Sequence, residues 1–314
     1  YMPAGVYKVK PQGANGEALW IKKNKIVLRG DGPGKTFIFN DEYKMRSKSV
    51  ILVASEASGN WYTDAGDSVN ITTDLLKPTD QVPVSSVSGL SVGDWVVLRA
   101  DPTQAFIDEH NMNPEWNGYG DSKLRGVLFY RQITTIDSTN NVLTVDAPIR
   151  YQLKVRDAAR VHRAIDHIEE VGLENFSIGG RQHTGSGLGE EDYKTPGKAA
   201  YDMHGANLIK VDRTRNSWVK DVHSYRPTVN LGDFHSVSNG LILAAVRFVT
   251  VSNCDFQKPQ YRGGGGNGYM YRLFGQECLV MHSASHYSRH GFVFSNMHCS
   301  GNVILRCLSH CSGF

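Results

Sequence analysis

The last third of the chain is rich in side chains that can transfer a proton or bind an anion. Histidine and tyrosine can act as general base or general acid near neutral pH, and arginine can pair with a carboxylate through two hydrogen bonds. These side chains are His223, Tyr225, Arg226, His235, Lys258, Tyr261, Arg262, Tyr271, Arg272, His286, Arg289 and His290. A solvated polar face would explain any one of them, whereas the combination of types favours a functional site.

One chemistry suited to this combination is removal of a proton next to a carboxylate. Such an elimination needs a base, an acid for the leaving oxygen and a cation that neutralises the carboxylate. The candidates are His223, His286 or His290 as base, Tyr225 or Tyr271 as acid, and Arg262, Arg272 or Arg289 as cation.

Hydrolysis of a glycosidic bond is a second chemistry, and it requires two carboxyl groups that face one cleft. Asp233 and Asp255 are the main candidates in a region that is otherwise poor in carboxylates. Asp255 is therefore counted among the candidate catalytic residues. Arg226 and Lys258 are counted among the candidate substrate-binding residues.

Repeated segments must position these side chains. Four of them align without gaps, beginning at Val219, Val251, Val280 and Ile304, and a fifth begins at Leu173. A short strand that recurs at such intervals marks a solenoid, in which each coil buries its apolar side against its neighbours. The sequence therefore predicts an all-β chain built as a parallel solenoid.

The repeat also assigns directions to side chains. One position is read as a sharp turn, and the next as an inward-facing position. The turn position holds Asn175, Asp221, Asn253, His282 and Arg306, and the inward position holds Phe176, Val222, Cys254, Ser283 and Cys307. After each turn and its loop, the next strands begin alike, with Gly240-Leu-Ile-Leu, Gly268-Tyr-Met-Tyr and Gly291-Phe-Val-Phe. The proton-transferring and cationic side chains are expected together on one outer edge.

The stretch 66–155 interrupts the repeat. It contains alternating or apolar strands, which predict a β-rich insertion or a set of elaborated coils. Within it, residues 101–125 form a polar loop with Trp116 and Tyr119, whose rings are candidates for stacking on a sugar. The predicted organisation is 1–65 as first coils, 66–155 as insertion and 156–314 as coils with long loops.

The charge and hydrophobicity of the chain limit the classes of binding partner that we expect. The formal net charge is +3 over 314 residues and there is no long basic run, which argues against nucleic acid but permits an acidic substrate. No apolar run approaches the roughly 18 residues of a membrane span. The chain opens on a strand and stops just after a coil. We therefore expect a homo-oligomer partner or a further chain segment to cover the ends of the solenoid.

The opening segments Tyr1-Met-Pro-Ala-Gly-Val-Tyr-Lys-Val9 and Ile26-Val-Leu-Arg-Gly-Asp-Gly-Pro-Gly-Lys-Thr-Phe-Ile38, with the Val-x-Asn-Cys-x-Phe coil at 251–256, resemble the pectate-lyase-like superfamily. The resemblance implies a right-handed parallel β-helix. Members include polysaccharide lyases, glycoside hydrolases, epimerases, fructan transferases and phage tailspikes. The clustered aspartates of the polygalacturonase-like branch do not occur here. Calcium-dependent lyases in the superfamily make Ca²⁺ the one cofactor to consider.

Three functions follow from this resemblance and from the residues. The first is a polysaccharide lyase that acts on an acidic, uronate-containing glycan by β-elimination. The second is a glycoside hydrolase or transferase, and the third is a non-catalytic glycan-binding or structural surface β-helix. All three imply a polysaccharide partner and a secreted or cell-surface location. Fold alone does not choose among them.

Overall fold

The computed structural model describes residues 1–12, 16–59, 63, 66, 68–117 and 124–313. Tyr119 lies outside them. The described chain has two short α-helices, α1 (Gln104–Glu109) and α2 (Ala199–Met203), and 3₁₀ turns at Val155–Asp157 and Asp192–Lys194. The strands, in chain order, are β1 (Gly5–Val9), β2 (Glu17–Ile21), β3 (Val27–Arg29), β4 (Thr36–Asn40), β5 (Ser49–Val53), β6 (Val69–Asn70), β7 (Gln81–Pro83), β8 (Trp95–Ala100), β9 (Val127–Asp137), β10 (Val142–Val145), β11 (Arg160–Arg163), β12 (Ile168–Glu169), β13 (Gly172–Gly180), β14 (Asn207–Asp212), β15 (Thr214–Ser224), β16 (Asn239–Ser252), β17 (Asp255–Gln257), β18 (Tyr269–Gln276), β19 (Leu279–Met281), β20 (Ala284–His286), β21 (His290–Phe294), β22 (Val303–Leu305) and β23 (Leu308–His310).

The chain divides into two compact units. The first consists of Tyr1–Glu56, His167–Phe294 and Asn302–Phe314, and the second of Ala57–Asp166 and Ser295–Gly301. The second unit thus extends beyond the predicted insertion 66–155 at both ends and includes a short segment from late in the chain.

The first unit is a parallel β-helix. Its 17 strands form one parallel sheet that winds through three ladders in each coil. The first ladder contains β2, β5, β14, the start of β16, β18 and β21. The second contains β3, β12 with the start of β13, β15, the end of β16, β19 and β22. The third contains β1, β4, the end of β13, the end of β15, β17, β20 and β23.

The gapless alignment of the repeats is confirmed in the second ladder. Leu173 pairs with Val219, Val219 with Val251, Val251 with Val280, and Val280 with Ile304. The first four side chains in this series are at most 1% exposed. Stacking of like apolar residues in successive coils therefore builds the core, as the repeat predicts.

The predicted turn position is also confirmed. All five of its residues have left-handed backbone conformations: Asn175, Asp221, Asn253, His282 and Arg306 have φ values of 60°, 52°, 53°, 49° and 50°. The chain turns there from the second ladder into the third. The inward position that follows holds buried Phe176, Val222, Cys254 and Ser283, and Cys307 packs against the same core.

The second unit contains the β-rich insertion. Its sheet is antiparallel, with strand order β6-β11-β8-β9-β10-β7. Buried side chains such as Val96, Leu98, Phe129 and Val161 form its own core. Helix α1 begins at Thr103, whose side chain accepts a hydrogen bond from the N–H of Phe106.

Candidate functional site

Asp255 lies at the centre of the best-defined group of titratable side chains on the first unit. Strand β17 places Asp255 opposite His223 in the preceding coil and opposite Ala284 in the following coil. His286 is two residues beyond Ala284 and pairs with Gln257. A carboxyl group therefore lies between two coils that each supply an imidazole.

Burial raises the pKa of the Asp255 carboxyl above its usual range. The charges of His286 and His223 and a hydrogen bond from Gln257 oppose this effect in part. Gln257 Nε2 donates to Asp255 Oδ2 at 3.1 Å. Asp255 Oδ1 is buried and has no hydrogen-bond partner among the described residues. The Asp255 carboxyl is thus partly desolvated, with one buried oxygen that no described residue satisfies.

The turn residue Asn253 orients His223. The backbone carbonyl of Asn253 lies 3.1 Å from His223 Nε2. Because a carbonyl only accepts, Nε2 must carry the proton of this hydrogen bond. In the neutral imidazole the lone pair then lies on Nδ1, where it can accept a proton.

A second carboxyl lies close to the same group through Lys258. Lys258 Nζ is 2.6 Å from Asp233 Oδ2, and this hydrogen bond lowers the pKa of Asp233. The charge of Lys258 also lowers the pKa of Asp255. Lys258 is therefore within electrostatic range of two carboxyls whose pKa values are shifted in opposite directions.

His235 belongs to this region as well. Its backbone N–H donates to the backbone carbonyl of Lys258 at 3.0 Å, and its ring Nδ1 lies 3.0 Å from Ser224 Oγ. Burial, aided by the charge of Lys258, lowers the pKa of His235 to about 4. His235 is therefore a neutral imidazole at physiological pH.

Tyr225 and Arg226 directly follow strand β15. The Tyr225 ring packs edge-on against Phe37, with ring centroids 4.9 Å apart, and burial raises its pKa to about 12. Arg226 is exposed and its Nη2 donates to the carbonyl of Asn230 at 2.8 Å. Tyr225 remains protonated at neutral pH, and Arg226 is the cation that lies most openly on this part of the coil.

Tyr271 is not on the outer edge where the sequence analysis placed it. It is 1% exposed and pairs with Leu241 on one side and Phe292 on the other, within the inward stack of the first ladder. Its hydroxyl lies 2.8 and 2.9 Å from the carbonyl oxygens of Cys254 and Ala284, which share its single hydrogen. An aromatic ring that fills a leucine position of the stack is a core residue, and it cannot reach a ligand.

Four further predicted residues are distributed over other parts of the coil. Arg272 lies on the first ladder with its guanidinium over the rings of Tyr269 and Phe274. Arg289 forms an ion pair with Glu190 at 3.0 Å. The His290 ring lies 4.8 Å from the Tyr269 ring, measured between centroids. Arg262 donates a hydrogen bond to the carbonyl of Tyr287 at 3.2 Å.

Burial and the charge of Arg289 both lower the pKa of His290. The neighbouring cation thus makes this imidazole a weaker base than an isolated histidine. Arg272, Arg289 and His290 contact residues outside the group around Asp255, which comprises His223, Tyr225, Arg226, Lys258 and His286. Arg262 contacts the carbonyl of Tyr287, the residue next to His286.

Trp116 lies in the second unit. Its ring is stacked on that of Phe106 at 6.2 Å and tilted against that of His110 at 5.7 Å, and it packs against the core of that unit. Its predicted role in stacking on a sugar stays a prediction.

Tyr287 is a further residue of this region, and it was not among the predicted site residues. This exposed residue follows β20 directly, next to His286. The signal that would have found it is the repeat itself, since Tyr287 follows Val280 by as many residues as Lys258 follows Val251. Extending the gapless alignment by one residue places the two side chains at equivalent positions.

The described part of the chain contains no group of three or more His, Cys, Asp or Glu side chains placed to hold a metal ion. No described helix is both long and apolar enough to span a bilayer.

One comparison with a solved structure supports the fold of the chain. No protein-family model and no curated protein matches the sequence. Among solved structures, the chain is similar to the tailspike gp61 of Pseudomonas phage phi297, with a TM-score of 0.56 and 10% identity. The match covers 97% of this chain and 41% of that tailspike, so the chain spans about two fifths of its length.

Two other tailspikes align at lower similarity. The tailspike gp49 of Pseudomonas phage LKA1 gives a TM-score of 0.41 at 11% identity, with 98% of this chain and 49% of that one covered. The gp54 tailspike of Acinetobacter baumannii bacteriophage AP22, solved with a capsular saccharide, gives 0.29 at 10% identity, with 96% and 52% covered. The phi297 likeness supports the parallel β-helix fold.

Proposed function

We propose that the protein is a polysaccharide-degrading β-helix enzyme that cleaves a glycosidic bond by hydrolysis, with Asp255 as general acid. The observation that carries the proposal is the pair of carboxyls near Lys258. The pKa of Asp255 is raised by burial, and that of Asp233 is lowered by the Lys258 ammonium. Two carboxyls whose environments separate their pKa values are suited to acting as acid and base in one reaction.

Each carboxyl has a defined task in this reaction. Protonated Asp255 gives its proton to the leaving glycosidic oxygen as the bond between that oxygen and the anomeric carbon breaks. Ionised Asp233 takes a proton from a water molecule, whose oxygen bonds to the anomeric carbon.

β-Elimination is the second candidate, and the tautomer of His223 favours it. With Nε2–H bound to the Asn253 carbonyl, the lone pair on Nδ1 can remove a proton next to a uronate carboxylate. Lys258 and Arg226 are the nearby cations that would neutralise that carboxylate. This reaction leaves an unsaturated sugar, whereas hydrolysis does not.

Both reactions imply a glycan substrate, which the superfamily resemblance of the opening coils also supports. They also imply a secreted or cell-surface setting, where long polysaccharides are found. A homo-oligomeric assembly remains part of this proposal. Calcium is not assigned to a position.

The test is incubation with acidic and neutral polysaccharides while reducing ends and the ultraviolet absorbance of unsaturated uronyl products are followed together. Hydrolysis gives reducing ends without absorbance, and elimination gives both. We expect Asp255→Asn to lower the rate by about 10²–10⁴-fold, the usual contribution of general acid–base catalysis. Asp233→Asn should have a similar effect.

Glu56→Gln is the matched control. Glu56 is 52% exposed and bound to Lys22 at 2.7 Å, much as Asp233 is 61% exposed and bound to Lys258 at 2.6 Å. Full activity is expected in this variant. Full activity in Asp255→Asn would refute the assignment of the acid, and a wild-type protein that releases no product from any polysaccharide would refute enzymatic function.

A further inference from the structure

Tyr287 is an exposed aromatic residue beside the group centred on Asp255. It follows β20, is 45% exposed, and has a left-handed backbone with φ of 54°. A tyrosine is uncommon in this region of backbone space, where small or polar residues have the lower cost. Lys258 and Cys311, which occupy the equivalent turn position, have φ of 53° and 50°, so the turn itself sets this backbone, and the exposed ring is the feature that needs an explanation.

The backbone of Tyr287 is held on both sides. Its N–H donates to the carbonyl of His310 at 3.1 Å, and its own carbonyl accepts from Arg262 Nη1 at 3.2 Å. Its ring meets the His310 ring edge-on, at 5.9 Å and 81°. These contacts hold the backbone of the turn and place the ring beside His310, while nearly half of the residue stays open to solvent.

The ring also lies near Lys258. Lys258 Nζ, which holds Asp233, is 5.5 Å from the centroid of the Tyr287 ring. The turn with Lys258 stacks on the turn with Tyr287, because the backbone N–H of Lys258 donates to the carbonyl of His286 at 3.0 Å. A ligand that contacts Asp233 would therefore meet the Tyr287 ring one coil further along the helix.

We propose that Tyr287 is a stacking subsite for one sugar ring of the polysaccharide, one coil beyond the Asp255 centre. This inference rests on the proposed function, which it deepens by assigning a substrate-positioning residue. A fixed aromatic ring gives a flat apolar surface to the C–H face of a pyranose, and its burial by the sugar adds affinity. Tyr287 acts on binding and takes no part in bond cleavage.

Phe248 offers a matched control on the same unit. It is likewise an aromatic residue with a left-handed backbone, φ of 55°, and it is 40% exposed. The Arg247 guanidinium lies 4.3 Å from its ring centroid. Phe248 lies between the first and second ladders, within β16, so its truncation should leave the Asp255 group unchanged.

The experiment is affinity gel electrophoresis in alginate, hyaluronan, polygalacturonate, xylan and dextran, with the wild type, Tyr287→Ala, Tyr287→Phe and Phe248→Ala. We expect at least one polysaccharide to retard the wild type, Tyr287→Phe and Phe248→Ala. Tyr287→Ala should bind about tenfold more weakly, as for loss of an aromatic anchor. On a polysaccharide that is cleaved, KM should rise by a similar factor while kcat stays near the wild-type value.

Equal retardation of Tyr287→Ala and the wild type would overturn the subsite, as would the absence of any retardation. A loss of binding in Phe248→Ala as large as that in Tyr287→Ala would overturn its specificity. The proposed function is read separately from reducing ends. Binding through Tyr287 without product release would refute hydrolysis but support the subsite. Cleavage with an unchanged KM in Tyr287→Ala would support an enzymatic function but refute the subsite.

Discussion

His223 and Asp255 face each other in register across two adjacent coils of the parallel sheet. Neighbouring strands of a sheet are about 4.8 Å apart, so an imidazole and a carboxyl at such positions sense each other's charge. His223 lowers the pKa of Asp255, against the larger upward effect of burial. In hydrolysis, His223 would therefore adjust the pKa of the acid Asp255. In β-elimination, His223 would itself be the base.

His223→Gln separates these two roles. If Asp255 is the acid of a hydrolase, loss of the imidazole charge raises the pKa of Asp255 further, and the alkaline limb of kcat/KM moves to higher pH while the rate stays within about tenfold of wild type. If His223 is the base of an elimination, the rate falls by about 10²–10⁴-fold. A pH profile of kcat/KM for both proteins decides between them. A rate loss of that second size would refute hydrolysis through Asp255 with an auxiliary histidine.

Lys258→Met should move both limbs of the pH profile in the same direction. The Lys258 hydrogen bond and charge lower the pKa of Asp233, and its charge lowers that of Asp255. Without the ammonium both values rise, so the acidic limb, set by ionisation of Asp233, and the alkaline limb, set by protonation of Asp255, shift to higher pH. Lys22→Met, which removes the comparable partner of Glu56, is the control and should leave the profile unchanged. A Lys258→Met profile that superimposes on the wild type would contradict the assignment.

The ladder that pairs Val219 with Val251 and Val280 could be predicted from the sequence because every coil of a solenoid has the same packing requirement. Each coil must bury an aliphatic side chain and then turn sharply, so the repeat marks both the stack and the left-handed turn residue. The turn at Asn253 is foreseeable on these grounds, since asparagine tolerates that conformation.

The outer loops do not obey the repeat, and there the sequence could not place the residues. Aligning Gly240 with Gly268 puts Leu241 opposite Tyr269, whereas the structure pairs Leu241 with Tyr271. The loops before these strands differ in length, so a two-residue shift in register leaves no trace in the pattern. The contact between Asp233 and Lys258 likewise joins a loop to a turn, and no periodicity predicts it.

Tyr271→Phe tests the inward placement of that ring. The variant keeps the stack on Phe292, at 4.6 Å between centroids, but loses the hydroxyl whose hydrogen the carbonyls of Cys254 and Ala284 share. We expect unfolding free energy to fall by about 0.5–1.5 kcal/mol, the net value of a typical hydrogen bond, with kcat unchanged. Chemical denaturation and steady-state kinetics measure the two effects. A large loss of kcat without loss of stability would return Tyr271 to the candidate acids.

Asp255→Asn should make the folded protein more resistant to unfolding at neutral pH, even as it removes activity. The folded-state pKa of Asp255 is raised by burial, so between the unfolded value near 3.9 and that higher value the folded protein holds the proton more firmly than the unfolded chain. The unfolding free energy contributed by this group is therefore present at acid pH and is lost as pH rises through the folded-state pKa. Asparagine cannot ionise and avoids the loss, so the advantage of the variant should appear above that pKa and vanish below about pH 3.9. Melting temperatures of both proteins across this range measure it.

Asp233→Asn should show the opposite sign, because the pKa of Asp233 is lowered, with a smaller effect since its side chain is 61% exposed. A melting-temperature difference between Asp255→Asn and wild type that does not vary with pH would mean that the Asp255 carboxyl is not desolvated, and it would remove the basis for its role as an acid.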